Sequence, residues 1–407
     1  MAYILHSSMN YTPPIDALPV EVMEVVFQAA VDSGQQPETL GAISRRWRDI
    51  ATGCRLLWCE INILPEMFVG RLRGAALEYV RRRIQRSIHY GLSVTIRFPS
   101  HSSVPSLSGT HLGARFPSFP SQGSLFRDAM EAVVGPQGSV MQRWKQLSLG
   151  GPMADFPQLS YLLQYPTPAL QEFKLLLPYD CARNTVANIL PQTPQLRLLE
   201  VYIPTHVILP HSLRQVPKLV LSGTHIYHSH DLLVPFSSLT FLELNTIFTK
   251  PHSAHNSSTL QLPHLRTLCI RYLSGNIYSF LIDAVMPVLE SLHLHLSTHL
   301  VGNSNAGPKA RRLLGHILPR LLNLTISEMD VRKPEELVGL LEPAKNLRSL
   351  HLEGCGSWKQ WLRGVVLEQR LMREHYYILH DSSLCPNLRS CVIEGHERHD
   401  LIAIRNN

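Results

Sequence analysis

The sequence is poor in the features that mark secreted and membrane proteins. Its seven cysteines form no CxxC pair, and their odd number does not suit a disulfide framework. No apolar run approaches the roughly 18 residues that a membrane span needs. A secretory leader, with its basic and apolar segments, is missing from the N-terminal MAYILHSSMNYTPPIDALP. We therefore expect an intracellular protein of the cytoplasm or nucleus, with reduced thiols and no membrane partner.

Strong net charge and catalytic signatures are missing as well. Lys and Arg number 38 against 31 Asp and Glu in 407 residues, a scattered excess that does not demand nucleic acid. The chain has no GxSxG, no GxxxxGK[ST] and no HExxH motif. We therefore expect no enzyme, no cofactor, no bound metal and no nucleic-acid partner.

One histidine cluster keeps a metal-dependent alternative open. The segment THIYHSHD places His225, His228, His230 and Asp231 close together, and these are ligand types that Zn²⁺ accepts. The segment follows the strand-like VPKLVLSG, however, and no second ligand cluster accompanies it. A polar loop is the expected interpretation, and a metal-dependent hydrolase built on these four residues is the alternative.

The N-terminal part shows the periodicity of amphipathic helices. Pro19 suits a first helical turn, an apolar stripe follows it, and Gly34 ends the pattern. The stripe consists of Val22, Val25, Val26 and Ala29. A further helical face is predicted at Leu40, Ile43, Trp47, Ile50 and Ala51. A unit this small buries too little surface to be comfortable alone and is expected to have a partner.

In order and spacing these residues resemble the F-box. The family's LPxE element corresponds to Leu18-Pro19-x-Glu21, its VSKRW element to Ile43–Trp47, and its LW element to Leu57-Trp58. The resemblance implies docking onto the adaptor Skp1 of a cullin–RING ubiquitin ligase. It assigns to the adaptor-facing surface or its support Leu18, Pro19, Val22, Val26, Ile43 and Trp58. The alternative is a helical cap that buries the same side chains against the rest of the chain.

After residue 140 one apolar phrase recurs ten times. Its copies are WKQLSL, LQEFKL, LRLLEV, VPKLVL, LTFLEL, LRTLCI, LESLHL, LLNLTI, LRSLHL and LRSCVI. Most of them begin 20 to 26 residues apart, within the period of leucine-rich repeats. Each copy predicts a short strand backed by a helix, and stacked copies predict a parallel sheet. We therefore predict an α/β protein in which a three-helix F-box-like unit precedes an irregular leucine-rich-repeat horseshoe with outer helices.

The predicted organisation has four parts. They are a tail over 1–15, the F-box-like domain over 16–63, a linking helix over 64–91 and the repeats over 92–407. A first strand is expected near Leu92–Phe98, and the Ser/Pro/Gly-rich segment 99–124 is expected to be a mobile insertion. The basic run Arg81–Arg86 is expected to form one solvated face of the linking helix.

Residues between the inward leucines of each strand are predicted to line the opposite face of the sheet. We expect a client protein to bind there, at Lys174, Glu200, Tyr202, Glu243, Arg271, His293, His295, His351 and Glu353. The three histidines suggest a pH-dependent contact, because imidazole titrates near neutrality.

F-box proteins with divergent leucine-rich repeats resemble the whole chain. That resemblance implies a substrate receptor of a Skp1–cullin–F-box ubiquitin ligase. It would bind the adaptor, and through it a cullin, and present an unidentified client protein by proximity alone. The other possibility is a repeat scaffold that takes no part in a ligase.

Overall fold

The computed structural model describes most of the N-terminal half and the strands of the C-terminal half. It describes residues 14–64, 67, 73–97, 122–150, 162–176, 190, 192–202, 211–223, 233–234, 236–245, 259–271, 284–295, 315–327, 341–353, 385–394 and 402–405. The histidine cluster at 225–231 lies outside these ranges, as does the insertion up to residue 121. Residues 122–124, predicted as part of that insertion, instead begin an α-helix.

Thirteen strands of the described part form one sheet in which strand order follows chain order. Strands β1 to β12 run parallel, and β13 pairs antiparallel with β12. They are β1 (Glu60–Ile63), β2 (Leu92–Arg97), β3 (Trp144–Gly150), β4 (Glu172–Leu176), β5 (Leu198–Tyr202), β6 (Lys218–Ser222), β7 (Phe241–Asn245), β8 (Thr267–Arg271), β9 (Ser291–His295), β10 (Asn323–Ser327), β11 (Ser349–Glu353), β12 (Ser390–Glu394) and β13 (Ile402–Arg405). Each of the ten apolar phrases supplies one strand, from β3 to β12. The predicted α/β class and parallel sheet are confirmed, and the arrangement is compatible with a repeat horseshoe.

The sheet is held by rows of apolar side chains on one face. Leu242, Leu268 and Leu292 occupy the same position on three successive strands and are completely buried. The same row runs from β4 to β11 and contains Phe173, Leu199, Leu219, Leu242, Leu268, Leu292, Leu324 and Leu350. Burying one such side chain contributes about 2 kcal/mol. A single strand could not bury its leucines alone, so each repeat depends on its neighbours.

Strand β1 was not predicted. It follows the helical segment directly and pairs with β2, so that Ile61 lies beside Val94 and Ile63 beside Ile96. Both isoleucines are completely buried in the sheet core. The strand expected near Leu92 is therefore the second of the sheet. Residues 60–63, at the end of the segment 16–63, are part of the sheet.

Five α-helices lie in the described part. They are α1 (Val20–Asp32), α2 (Pro37–Ile43), α3 (Arg45–Gly53), α4 (Arg73–Arg86) and α5 (Gln122–Val134). The first three, with the short 3₁₀ turns Pro14–Ala17 and Arg55–Trp58, form what we call the N-terminal helical unit. Its own core includes Phe27 and Trp47, whose ring centroids are 4.9 Å apart. No helix within the described ranges has both the length and the apolar character that crossing a bilayer requires.

The apolar face predicted from Leu40 to Ala51 is divided between two helices. Ser44 is extended, with φ −151° and ψ 168°, and its Oγ accepts a hydrogen bond of 3.1 Å from the backbone N–H of Trp47. Serine is a preferred N-cap because its hydroxyl satisfies such an exposed donor. The chain therefore restarts as α3 at Arg45. The change of direction leaves Ile43 58% exposed, whereas Trp47 and Ile50 remain buried.

Arg83 joins the helical unit to the rest of the protein. Its side chain is buried although it belongs to the basic run of α4. The guanidinium donates to both carboxylate oxygens of Glu38, at 3.3 and 2.8 Å, and to Gln36 Oε1 at 2.7 Å. It also donates to the backbone carbonyl of Glu60, the first residue of β1. The prediction of a solvated basic face is therefore wrong at Arg83, although Arg82 beside it is exposed.

We expect Arg83→Ala to lower the free energy of unfolding by about 3 kcal/mol, because it leaves a cavity and removes a buried cation together with its hydrogen bonds to Glu38, Gln36 and the carbonyl of Glu60. Arg82→Ala is the matched control. Its weak contact with Glu78, at 3.7 Å, connects two half-exposed side chains, so its loss should cost less than about 0.5 kcal/mol. Urea denaturation of the two variants, followed by circular dichroism, measures both values. Equal effects of the two substitutions would contradict the role given to Arg83.

Candidate functional site

Helix α1 exposes an apolar surface that we call the valine face, consisting of Val22, Val25 and Val26. These side chains are 43%, 69% and 39% exposed. The core side of the same helix carries Met23 and Phe27, which are completely buried. The helix thus has apolar residues on two sides, and the stripe identified from periodicity is the outer one. A contiguous exposed apolar surface of this kind marks an interaction site more often than chance.

Three further residues assigned to the adaptor-facing surface are Leu18, Pro19 and Ile43. Pro19 is exposed at the start of α1, and Leu18 before it is partly buried. Arg46 Nη2 donates a 2.5 Å hydrogen bond to the carbonyl of Leu18. This bond ties the segment that enters α1 to helix α3. Ile43, at the end of α2, is likewise exposed to solvent.

Trp58 does not lie on that surface. It is completely buried, and its indole N–H donates a 2.7 Å hydrogen bond to the carbonyl of Ala51. The guanidinium of Arg86 stacks over its ring at 4.2 Å from the centroid. Of the six residues assigned to the adaptor-facing surface or its support, four are exposed, Leu18 is partly buried, and Trp58 can only be a support.

The second surface is the face of the sheet opposite the leucine rows, which we call the open face. Strand register places Lys174, Glu200, Glu243, His293 and His351 in one row across β4, β5, β7, β9 and β11. The other residues predicted for client binding, Tyr202, Arg271, His295 and Glu353, lie in the adjacent row. The structure therefore brings all nine onto two neighbouring rows of one face.

Charges on the open face are largely paired with each other. Lys174 Nζ lies 2.9 Å from a carboxylate oxygen of Glu200, and Arg271 Nε lies 3.0 Å from one of Glu243. Each pair connects two adjacent strands, β4 with β5 and β7 with β8. Because these pairs are partly exposed, they orient side chains more than they stabilise the fold.

Histidine and cysteine on this face have shifted acidities. Desolvation on the sheet lowers the pKa of His293, and the nearby positive charges of His351 and Arg271 lower it further, while Glu243 opposes the shift. Desolvation together with Glu243 raises the pKa of Cys269 to about 11. That thiol is therefore protonated at neutral pH and is a poor nucleophile.

The described residues hold no group of three or more His, Cys, Asp or Glu side chains placed to bind a metal ion. His225, His228, His230 and Asp231, which carry the hydrolase alternative, lie outside those residues.

No protein-family model matches this chain, and a search of curated proteins returned no significant match.

Sequence reasoning missed Arg83 as a structural residue, although a signal for it exists. The buried positions of α4 and the turn after it are Ala76, Val80, Arg83 and Ser87. Their spacing of four, three and four is that of one helical face. Arg83 therefore lies on the buried face of α4. Its spacing from Ala76 and Val80 indicates this position, whereas its charge and its place in a basic run favour an exposed one.

We expect His293 to titrate below the ordinary histidine value of 6.5. Its unfolded form keeps the ordinary pKa, so the folded state binds a proton less readily, and stability is lost as the pH falls from about 6.5 through the lower folded pKa. NMR titration of the imidazole Cε1–H signal measures the shift.

His351→Gln should raise the pKa of His293 while leaving it below the ordinary value, because desolvation remains. His264→Gln removes an exposed histidine that does not act on His293, and it should leave that pKa unchanged. A His293 signal titrating at or above 6.5 in the wild-type protein would refute the assignment.

Proposed function

We propose that this protein is a substrate receptor of a Skp1–cullin–F-box type ubiquitin ligase. The observation that supports it best is the valine face, because residues that resemble the F-box at 16–63 include Pro19, Val22 and Val26, and all three are exposed. A helical cap packed against the remaining chain would bury them instead.

The adaptor contact would be made mainly by apolar side chains. Covering Val22, Val25 and Val26 would contribute about 3 kcal/mol from the hydrophobic effect, before the costs of association. The buried side of α1, where Phe27 packs on Trp47, fixes the orientation of the helix. Such a rigid, pre-formed apolar surface loses little conformational entropy on binding.

The client contact would be made by the open face of the sheet. Its two polar rows combine paired charges with Tyr202 and histidines, a composition typical of the polar parts of protein interfaces. Because Lys174 and Glu200 already neutralise each other, recognition would depend on shape and hydrogen bonds more than on net charge.

The mechanism would be proximity. A client on the open face and an adaptor on the valine face are held on one chain, and the local concentration of the client near the charged conjugating enzyme rises accordingly. Arg83 supports this arrangement, since it binds Glu38 of the helical unit and the first residue of the sheet at once. The receptor would supply no catalytic residue.

We expect the full chain to bind a purified Skp1-type adaptor stoichiometrically, and Val22→Asp with Val26→Asp to weaken that binding at least about thirtyfold, as expected when two central contacts are lost and carboxylates are desolvated. Isothermal titration calorimetry measures the affinity. These substitutions are preferable to deleting residues 1–64, because the deletion would also remove β1 from the sheet.

Val288→Asp is the matched control. Val288 is an apolar residue of the repeats with 42% exposure, close to that of Val22, and it lies outside the helical unit. It should bind the adaptor like the wild type. Failure of the well-folded wild-type chain to bind any Skp1-type adaptor would refute the proposal and favour a repeat scaffold.

A further inference from the structure

A basic pocket lies where the helical unit meets α4. Arg55, Arg82 and Arg86 line an open cavity of about 490 Å³, which we call the arginine pocket. Thr52, Gly53, Gln85 and Ile88 complete its lining. None of the described lining residues carries a carboxylate. The pocket therefore concentrates three positive charges around one space, and this attracts an anion.

Arg86 is positioned before any ligand arrives. Its guanidinium lies 4.2 Å from the centroid of the Trp58 ring, which is itself fixed by the hydrogen bond to Ala51. Stacking occupies the flat face of a guanidinium and leaves its N–H groups free to donate at the edge. Such pre-organisation lowers the entropic cost of binding.

The other two guanidinium groups are also available to a ligand. In the described part of the chain, Arg82 has only the weak 3.7 Å contact with Glu78, in which both side chains are more than half exposed. Arg55, in the same part, is exposed and has no hydrogen bond or ion pair through its guanidinium. An anion could therefore enter the pocket without breaking a strong interaction of Arg55 or Arg82.

Three arginines that line one cavity suit a phosphate better than a carboxylate. A phosphate monoester carries nearly two negative charges at neutral pH and three acceptor oxygens, so each arginine can donate a hydrogen bond to a different oxygen. A carboxylate has one charge and two oxygens. The pocket is also open, and its lining includes the apolar side chain of Ile88, which is 39% exposed, so it suits a phosphate attached to a polypeptide.

We propose that the arginine pocket binds a phosphate monoester dianion presented by a phosphorylated serine or threonine of a partner protein. The site uses neither the valine face nor the open face, and it does not rest on the proposed ligase function. It gives the junction of the helical unit and α4 a contact whose strength depends on phosphorylation of the partner.

The test uses the full chain and a pool of fluorescent peptides with one fixed phosphoserine between degenerate flanks. Fluorescence polarisation at 0.15 M salt should show binding at least tenfold tighter than for the matched serine pool, and inorganic phosphate should compete. Affinity should rise from pH 5.5 to 7.5, because the second ionisation of the phosphate occurs near pH 6.

Arg86→Gln and Arg55→Gln should each weaken binding about tenfold, as expected for the loss of one charge-assisted contact. Arg81→Gln is the control, because this exposed residue lies on the same helix and loses the same charge but lines a different groove, between α4 and α5. Arg55 makes no packing contact comparable to that of Arg86, so its variant stays informative if Arg86→Gln does not fold.

Three results would overturn the proposal. They are equal binding of the phosphoserine and serine pools, equal weakening by Arg81→Gln and Arg55→Gln, and binding confined to vesicles of phosphatidylserine and phosphatidylcholine. The second result would indicate general attraction by a basic helix, and the third a membrane surface in place of a phosphorylated protein.

Discussion

The buried guanidinium of Arg83 is the interaction on which the arrangement of this protein depends. It connects Glu38 and Gln36 of the helical unit with the start of β1, and it lies within 5.8 Å of the Trp58 ring centroid. A buried cation requires several acceptors at once, because desolvation is costly. Those acceptors come from both the helical unit and the strand edge. The hydrogen bonds of Arg83 therefore form only when the helical unit and β1 are both in place, and they hold the helical unit against the first strand of the sheet.

The sheet follows from a different constraint, that of stacking. From β3 to β12 parallel pairing keeps one register, so the apolar residues of the core face, such as Leu242, Leu268 and Leu292, meet apolar residues on the next strand. One face becomes a core, and the other collects the remaining side chains in rows. The ion pair of Glu243 with Arg271, two residues and one strand apart, is a direct result of this register. An extended recognition surface is therefore a by-product of how the core is built.

Much of this could be predicted from the sequence. The recurring apolar phrase gave all ten strands from β3 to β12, because alternation over five residues has few other solutions in a repeat array. Strand β1 could not be found this way, since EINI is too short to show alternation and follows a helix without a break. Periodicity also could not show which side of α1 faces the core. Valines and the pair Met23 and Phe27 both recur at helical spacing, and only the larger side chains can fill the space beside Trp47.

The amino-acid sequence by itself determined the repeat period, the parallel sheet and the identity of the residues on its open face, because these depend on local alternation that a strand cannot avoid. The tertiary structure decided which apolar surface remains exposed, which arginine is buried and which three arginines line one pocket. Arg82, Arg83 and Arg86 stand in one run of similar residues, yet they are half-exposed, buried and stacked on Trp58, respectively. Arg82 contacts the nearby Glu78, whereas the hydrogen-bond partners of Arg83 lie 23 to 47 positions away in the chain, where no local pattern can specify them.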